Sequence, residues 1–230
     1  MSGWCEYELG QLGAQEPNAF ATGPFGSSIS AKYFVDEGIP VIRGSNLSLE
    51  VGRRLVEDSF AFLAPDKAAE FRRNVARRGD LVFTCWGTIG QIGYIGDGSR
   101  FSEYVISNKQ MKMTPDASRV DGLFLYYLLS SPQMLAAVQR QQIGTSVPGF
   151  NLGQLRGLGV RLPSLEVQRR IASALSAFDD LIENSTRRIE ILEEIAKAIY
   201  REWFVNFRYP GHENVPLVDS ELGSIPEGWA

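Results

Sequence analysis

Apolar residues recur at alternating steps of four and three from Ile171 through Leu175, Phe178, Ile182, Ser185, Ile189, Leu192, Ala196, Ile199 and Trp203. A seven-residue repeat keeps one seam of a helix facing a partner and implies a left-handed coiled coil. It predicts a single helix over Glu166–Phe207, roughly 60 Å long at ~1.5 Å per residue. Ser185, Ala196 and Asn206 weaken the seam, so a long helix inside one globule is the competing reading. Tyr209-Pro210-Gly211 ends the helix, because proline lacks the amide and glycine takes the left-handed cap.

Ahead of this helix the patterns are shorter. Ile39-Pro40-Val41-Ile42 is β-branched and reads as a strand that delivers Arg43-Gly44-Ser45-Asn46 at its polar end. Asp80-Leu81-Val82-Phe83-Thr84 reads as a buried strand. Val105–Met113 alternates, which places Lys109 and Gln110 near an accessible edge. Thr22-Gly23-Pro24-Phe25-Gly26-Ser27-Ser28 concentrates turn formers and small hydroxyls in a loop with open backbone amides. A helix is expected over Pro65–Arg78, with Ala68, Phe71 and Val75 on one face. Helices also follow over Asp121–Ser131 and Pro132–Gln142, then a polar loop containing Thr145 and Ser146.

Gly87, Gly90 and Gly93 are spaced by three, but a strand rather than a helix follows them. They therefore mark tight turns and not a dinucleotide fingerprint. The fold class expected is α+β: a mixed, strand-rich globular domain followed by a long coiled-coil α-helix. The expected divisions are 1–161 for the globular domain, 162–209 for the helix and 210–230 for a linker.

Composition narrows the functional classes. The chain has 230 residues and a formal net charge of −4. Through Arg161 there are 16 Lys+Arg against 15 Asp+Glu, a net of +1. From Leu162 onward there are 7 against 12, a net of −5. The acidity belongs to the helical part, so the overall charge does not exclude a basic groove in the front domain. Arg72, Arg73, Arg77 and Arg78, with no acid among them, are the densest positive patch. A solvated helix face and phosphate contact are both open readings of it.

Cys5 and Cys85 lack the spacing of a zinc site or a redox pair, which points to reduced thiols, no metal and a cytoplasmic chain with no membrane segment. His212, the only histidine, lies in the expected linker, so no histidine-based catalytic set is predicted. There is no Gly-x-x-x-x-Gly-Lys-Ser/Thr loop. None of the five lysines has Asp or Glu two residues before it, and no Asn/Asp-Pro-Pro-Tyr/Phe tetrapeptide occurs. Hydrolysis of nucleotides by a phosphate loop, metal-dependent DNA cleavage of the acid-x-lysine type and amino-methylation of DNA all lose their expected motifs.

A set of short segments, in order, carries a resemblance. They are Thr22–Ser27, Gly38–Arg43, Gly79–Val82, Ile106–Asn108 and above all Leu162-Pro163-Ser164-Leu165-Glu166-Val167-Gln168-Arg169-Arg170-Ile171, with Trp203–Phe207 closing the helix. Together they resemble the DNA-specificity subunits of type I restriction-modification systems over nearly the whole chain. The resemblance implies a subunit in which target-recognition domains are each followed by a long helix, the helices pairing antiparallel. This chain has one of each, and Leu222–Trp229, whose Gly-Trp echoes Gly3-Trp4, resembles the start of a second recognition domain.

The same resemblance implies a non-catalytic DNA-recognition subunit for a bipartite duplex target, most simply a half-subunit that forms a homodimer through its helix. Methyltransferase subunits would bind S-adenosylmethionine and modify adenine, restriction subunits would cleave, and this chain would hold no cofactor. Polar loops reach base edges while cations hold phosphates. On that basis Ser27, Ser28, Lys32, Arg43, Ser45, Asn46, Lys109, Thr145 and Ser146 are expected near DNA, with Arg72, Arg73, Arg77 and Arg78 on the backbone. The alternative is a coiled-coil oligomerisation adaptor whose front domain binds protein.

Overall fold

The computed structural model describes residues 3–143, 149–221 and 223–229. They form two compact units, Met1–Ser176 and Ala177–Ala230. The first unit opens with β1 (Cys5–Glu8), whose antiparallel partner is the distant β11 (Gly159–Leu162), so that Cys5 faces Leu162 and Glu8 faces Gly159. This pairing returns the chain to its own beginning immediately before the long helix.

Two larger sheets lie between them. β2 (Phe20–Thr22), β10 (Gln110–Met113), β7 (Leu81–Thr84) and β8 (Ile92–Tyr94) form an antiparallel sheet in that order. A five-stranded sheet runs β3 (Phe34–Val35), β5 (Ala61–Leu63), β4 (Ile39–Ile42), β9 (Glu103–Ile106) and β6 (Val75–Arg77). Within it only β4 and β9 are parallel, with Val41 opposite Val105 and Ile42 opposite Ile106. The alternating run at 105–113 is thus two strands in different sheets. The chain crosses from one sheet to the other at Ser107-Asn108-Lys109.

The helix expected over 65–78 is three elements. α1 covers only Pro65–Ala69, a 3-10 turn covers Arg72–Asn74, and Val75–Arg77 is strand β6. Phe71 and Ala76 are buried, and Val75 and Ala76 complete the sheet against Val105 and Tyr104. Edge pairing and burial of Ala76 therefore override the helical spacing of Ala68, Phe71 and Val75.

Helices α2 (Gly122–Leu129), α3 (Pro132–Arg140) and α4 (Leu152–Arg156) share an apolar core with β7, β8, β10 and β11. α2 and α3 fall within the expected helices, α4 was not among those expected, and all three have side-chain caps. Asp121 accepts from Phe124 N, Ser131 from Met134 N with Pro132 at the first position, and Asn151 and Gln154 bond reciprocally, each at 2.9 Å. Inside the sheets, Lys112 Nζ lies 3.0 Å from Asp80 Oδ2, both side chains being almost fully buried. Asp80 also accepts from Arg77 N, and Lys112 donates to Thr114, so the buried pair is hydrogen-bonded at both ends.

The long helix α5 spans Leu165–Tyr200 and is continued by a π turn over Arg201–Val205. Its first three turns, through Ser176, belong to the first unit: Gln168 and Ala172 are buried and Ile171 packs against the core. From Leu175 the predicted seam is exposed through Phe178, Ile182, Ser185, Ile189, Leu192, Ala196, Ile199 and Trp203. In the second unit, the stretch expected as a linker contains an antiparallel hairpin of β12 (Leu217–Ser220) and β13 (Gly223–Pro226). Trp229 stacks on Tyr209 with ring centroids 5.1 Å apart and also meets Phe204 and Phe207. The helix stops before the expected Tyr209-Pro210-Gly211: its C-cap is Asn206 and Phe207 takes the left-handed conformation, while Gly211, also at positive φ, opens the 3-10 turn His212–Asn214.

Candidate nucleic-acid interface

Strand ends converge on one cleft of the first unit. β4 and β9, being parallel, both finish there, delivering Arg43 and Ser107. β7 ends there at Thr84 before Cys85 and Trp86, while Lys109 leads into β10, whose first residue is Gln110. Backbone bonds tie these ends together: Ser107 N to Ile42 O at 2.9 Å, Cys85 N to Lys109 O at 2.8 Å and Gly23 N to Gln110 O at 2.8 Å. The cleft has a volume of about 460 Å³.

Its electrostatics are one-sided. Among the described residues Arg43 and Lys109 are its cations, and no acidic residue lines it. Neither cation makes an ion pair among the described residues. The Arg43 guanidinium lies 5.8 Å from the Phe34 ring centroid, and its Nε is buried without a hydrogen-bond partner among the described residues. Gln110 Nε2 is likewise buried and unpartnered, while its Oε1 accepts from Ser107. Ser45, Thr88 and Asn108 add exposed hydroxyls and an amide, and Trp86, 49% exposed, supplies an aromatic wall. Such a cleft offers many donors and a flat apolar face to an anionic, acceptor-rich ligand.

Beneath it Thr84 and Cys85 are buried. Burial pushes the Cys85 thiol up from 9.0 to about 11. Gln91 Nε2 donates to Leu47 O at 2.9 Å, and Thr84 Oγ1 donates to Gln91 Oε1, which fixes the floor. No three His, Cys, Asp or Glu residues converge on a possible metal site among the described residues. No helix among them is long and apolar enough to cross a membrane.

The profile of the type I restriction modification DNA specificity domain matches residues 27–194, most of this chain. The chain belongs to that family. The type I restriction enzyme MjaIX specificity subunit of Methanocaldococcus jannaschii is 36% identical over 106 residues, 46% of this chain and 24% of that protein. The HindI specificity subunit of Haemophilus influenzae is 27% identical over 210 residues, 90% of this chain and 42% of that protein. The crystal structure of the type I restriction-modification S subunit from M. genitalium superposes with a TM-score of 0.60 at 17% identity, covering 88% of this chain and 46% of that one. The chain spans less than half the length of each of these relatives. The resemblance read from the sequence and the expected α+β domain with its long helix are both borne out.

Within this specificity-subunit fold, the predicted contact residues separate into groups. Arg43, Ser45 and Lys109 line the cleft. Ser27 and Ser28 are exposed on the loop beside it, where Asn108 Nδ2 donates to Gly26 O at 3.4 Å. Lys32 is exposed, with its Nζ over the Tyr33 ring at 4.6 Å. Arg72 and Arg73 are exposed in the 3-10 turn whose Asn74 bonds Thr22 O, at the root of that same loop. Arg77 is paired with Glu103 at 3.0 Å, and Arg78 reaches Ser99 O. Thr145 and Ser146 lie outside the described residues.

Asn46 is corrected from a contact to a structural residue. It is fully buried, accepts from Arg43 N at 3.0 Å and donates to Val56 O and Ser59 O. Its amide holds the turn that presents Arg43 and Ser45, leaving it no reach to a ligand. Gln110, expected near an accessible edge, is fully buried in the wall. Trp86, Thr88 and Asn108 also line the cleft and were not among the expected contact residues. The rule that selected the polar end of β4 also selects the end of β7, where a tryptophan and a threonine flank Gly87.

Proposed function

We propose that the first unit binds duplex DNA in a sequence-dependent manner through this cleft, and that the chain serves as the target-recognition component of a type I restriction-modification system. The observation that carries this reading is the convergence, at the joined ends of strands, of two cations without an ion pair, exposed hydroxyls and an exposed amide, with no acid lining the cleft among the described residues. Arg43 suits a base edge, since a guanidinium pairs with guanine O6 and N7, while Lys109, Arg72 and Arg73 suit phosphates. Methyltransferase subunits would bring S-adenosylmethionine and restriction subunits would bring cleavage, leaving this chain non-catalytic and without a cofactor of its own.

The exposed heptad seam supports pairing of α5 with the helix of a second copy. Antiparallel pairing places two recognition domains about a twofold axis and predicts a symmetric, bipartite target.

Selection of duplexes from a randomised pool, followed by titration at several salt concentrations, tests the proposal. A selected motif and an affinity that falls with salt support it, because phosphate contacts release counterions. Saturable binding to a protein partner with no salt-dependent duplex binding would favour the oligomerisation adaptor instead.

A further inference from the structure

Phe25 is 87% exposed, more than any other large apolar side chain described. Its loop is nevertheless held at several points. Gly23 lies so close to the turn after β9 that a Cβ there would sit 1.8 Å from Ser107 O, and its amide donates to Gln110 O. Asn108, a residue of the cleft wall, donates to Gly26 O, and Ser28 Oγ donates to Phe25 O at 3.0 Å. Gly26 takes φ of +67°, a conformation that turns the chain directly after the ring. The ring thus stands on a fixed loop at the rim of the cationic cleft.

Its exposed chain neighbours Gly26, Ser27 and Ser28, and Asn108 bonded to Gly26, are small or polar, and half-buried Pro24 is the nearest apolar residue in the chain, so the ring stands out singly and not within a broad exposed apolar run. Protein interfaces use contiguous apolar patches, whereas proteins that deform DNA insert single apolar side chains between base steps.

We propose that Phe25 is a wedge: its ring inserts between adjacent base pairs at the border of the bound site, unstacks one step and kinks the duplex. The proposal rests on the DNA-binding reading above and adds a deformation that the cleft alone does not require. The fixed loop lowers the ordering cost of insertion, since little freedom remains to be lost.

The test uses the whole chain and a duplex selected from a random pool. 2-Aminopurine is placed at successive positions, and end-labelled duplexes report bending by energy transfer. Phe25→Ala, Phe25→Leu and Arg43→Ala are compared. The expected result is a fluorescence rise at one step and a bend with the wild type. Both are lost in Phe25→Ala, which binds about tenfold more weakly given typical base–aromatic stacking. Phe25→Leu keeps most of the signal because leucine also serves as a wedge.

Wild-type binding without a local fluorescence rise or a bend overturns the wedge, as does equal affinity of Phe25→Ala. In either case, weakened binding by Arg43→Ala shows that the DNA-binding reading survives. Absence of any duplex binding by the wild type overturns both.

Discussion

The backbone amide of Asp121 donates to Gln168 Oε1 over 2.9 Å. Gln168 Nε2 donates in turn to Pro163 O, also at 2.9 Å, and the side chain is almost fully buried. One amide on the first turn of α5 therefore binds the start of α2 to the segment that enters the long helix. Gln168→Leu leaves a buried donor and a buried acceptor unpaired, and a loss of about 2–4 kcal/mol is expected. Chemical denaturation of the two proteins measures it. A difference below the error of the extrapolation would remove this residue from the account.

At the cleft, Arg43→Ala and Lys109→Ala are expected to weaken duplex binding through different terms. Loss of Lys109 should reduce the salt slope by about one and act similarly on all sequences. Loss of Arg43 should relax the selected motif at one position, at a cost of about 1–3 kcal/mol. Asn46→Ala, by contrast, should lower the melting temperature, since it strips the turn of its buried amide. Repeating the duplex selection with each variant separates these outcomes.

The two cysteines should differ in reactivity. Cys5 is exposed and Cys85 is buried with its thiol raised to about 11. At pH 8 a disulfide reagent should titrate one thiol rapidly in the native chain and the second only after denaturant. The sign for stability follows. Burial favours the neutral thiol of Cys85, so its contribution is complete below pH 9 and is lost as pH rises through about 11. Melting curves of wild type and Cys85→Ala should therefore converge with increasing alkalinity over that window.

The buried Asp80–Lys112 pair offers a fourth stability test. Lys112→Met leaves Asp80 as an uncompensated buried charge, with an expected loss of about 3–5 kcal/mol. The double replacement Asp80→Asn with Lys112→Met should recover part of it. Denaturation midpoints of the three proteins provide the comparison.

For the long helix, the proposed pairing predicts a dimer by light scattering at micromolar concentration. Ser185 lies at mid-seam, 20 residues after Leu165 in a helix of 36 residues. Ser185→Leu should retain the dimer while loosening its register, because a polar seam residue specifies alignment at a cost in stability. Crosslinking between cysteines introduced along the exposed seam reads that register. An unaltered crosslinking pattern would remove the role assigned to Ser185.

Long-period and end-capping signals were legible in the sequence. The heptads of α5, the helices beginning after Asp121 and at Pro132, and the strand carrying Val41 and Ile42 all depend on local spacing or local hydrogen bonds. Less legible were features set by distant partners. Residues 65–78 look helical in isolation, yet Val75 and Ala76 are claimed by β9, nearly thirty residues later in the chain. Asn46 reads as a polar loop residue because its acceptors, Val56 and Ser59, lie beyond any local window. The cleft was half visible: Arg43, Ser45 and Lys109 stood out by type and position. Trp86 acquires meaning only when two sheets bring the ends of β4, β7 and β9 together.

The division of labour along those strands has a further consequence. Val41, Ile42, Val82, Phe83, Val105 and Ile106 are spent entirely on the interior, while Arg43, Ser45, Trp86, Thr88, Asn108 and Lys109 begin where the buried runs stop. Chemistry at the rim can therefore be exchanged residue by residue with little disturbance to the packing beneath. A scaffold arranged this way can acquire new targets by substitution at its margins alone, keeping one interior for many specificities.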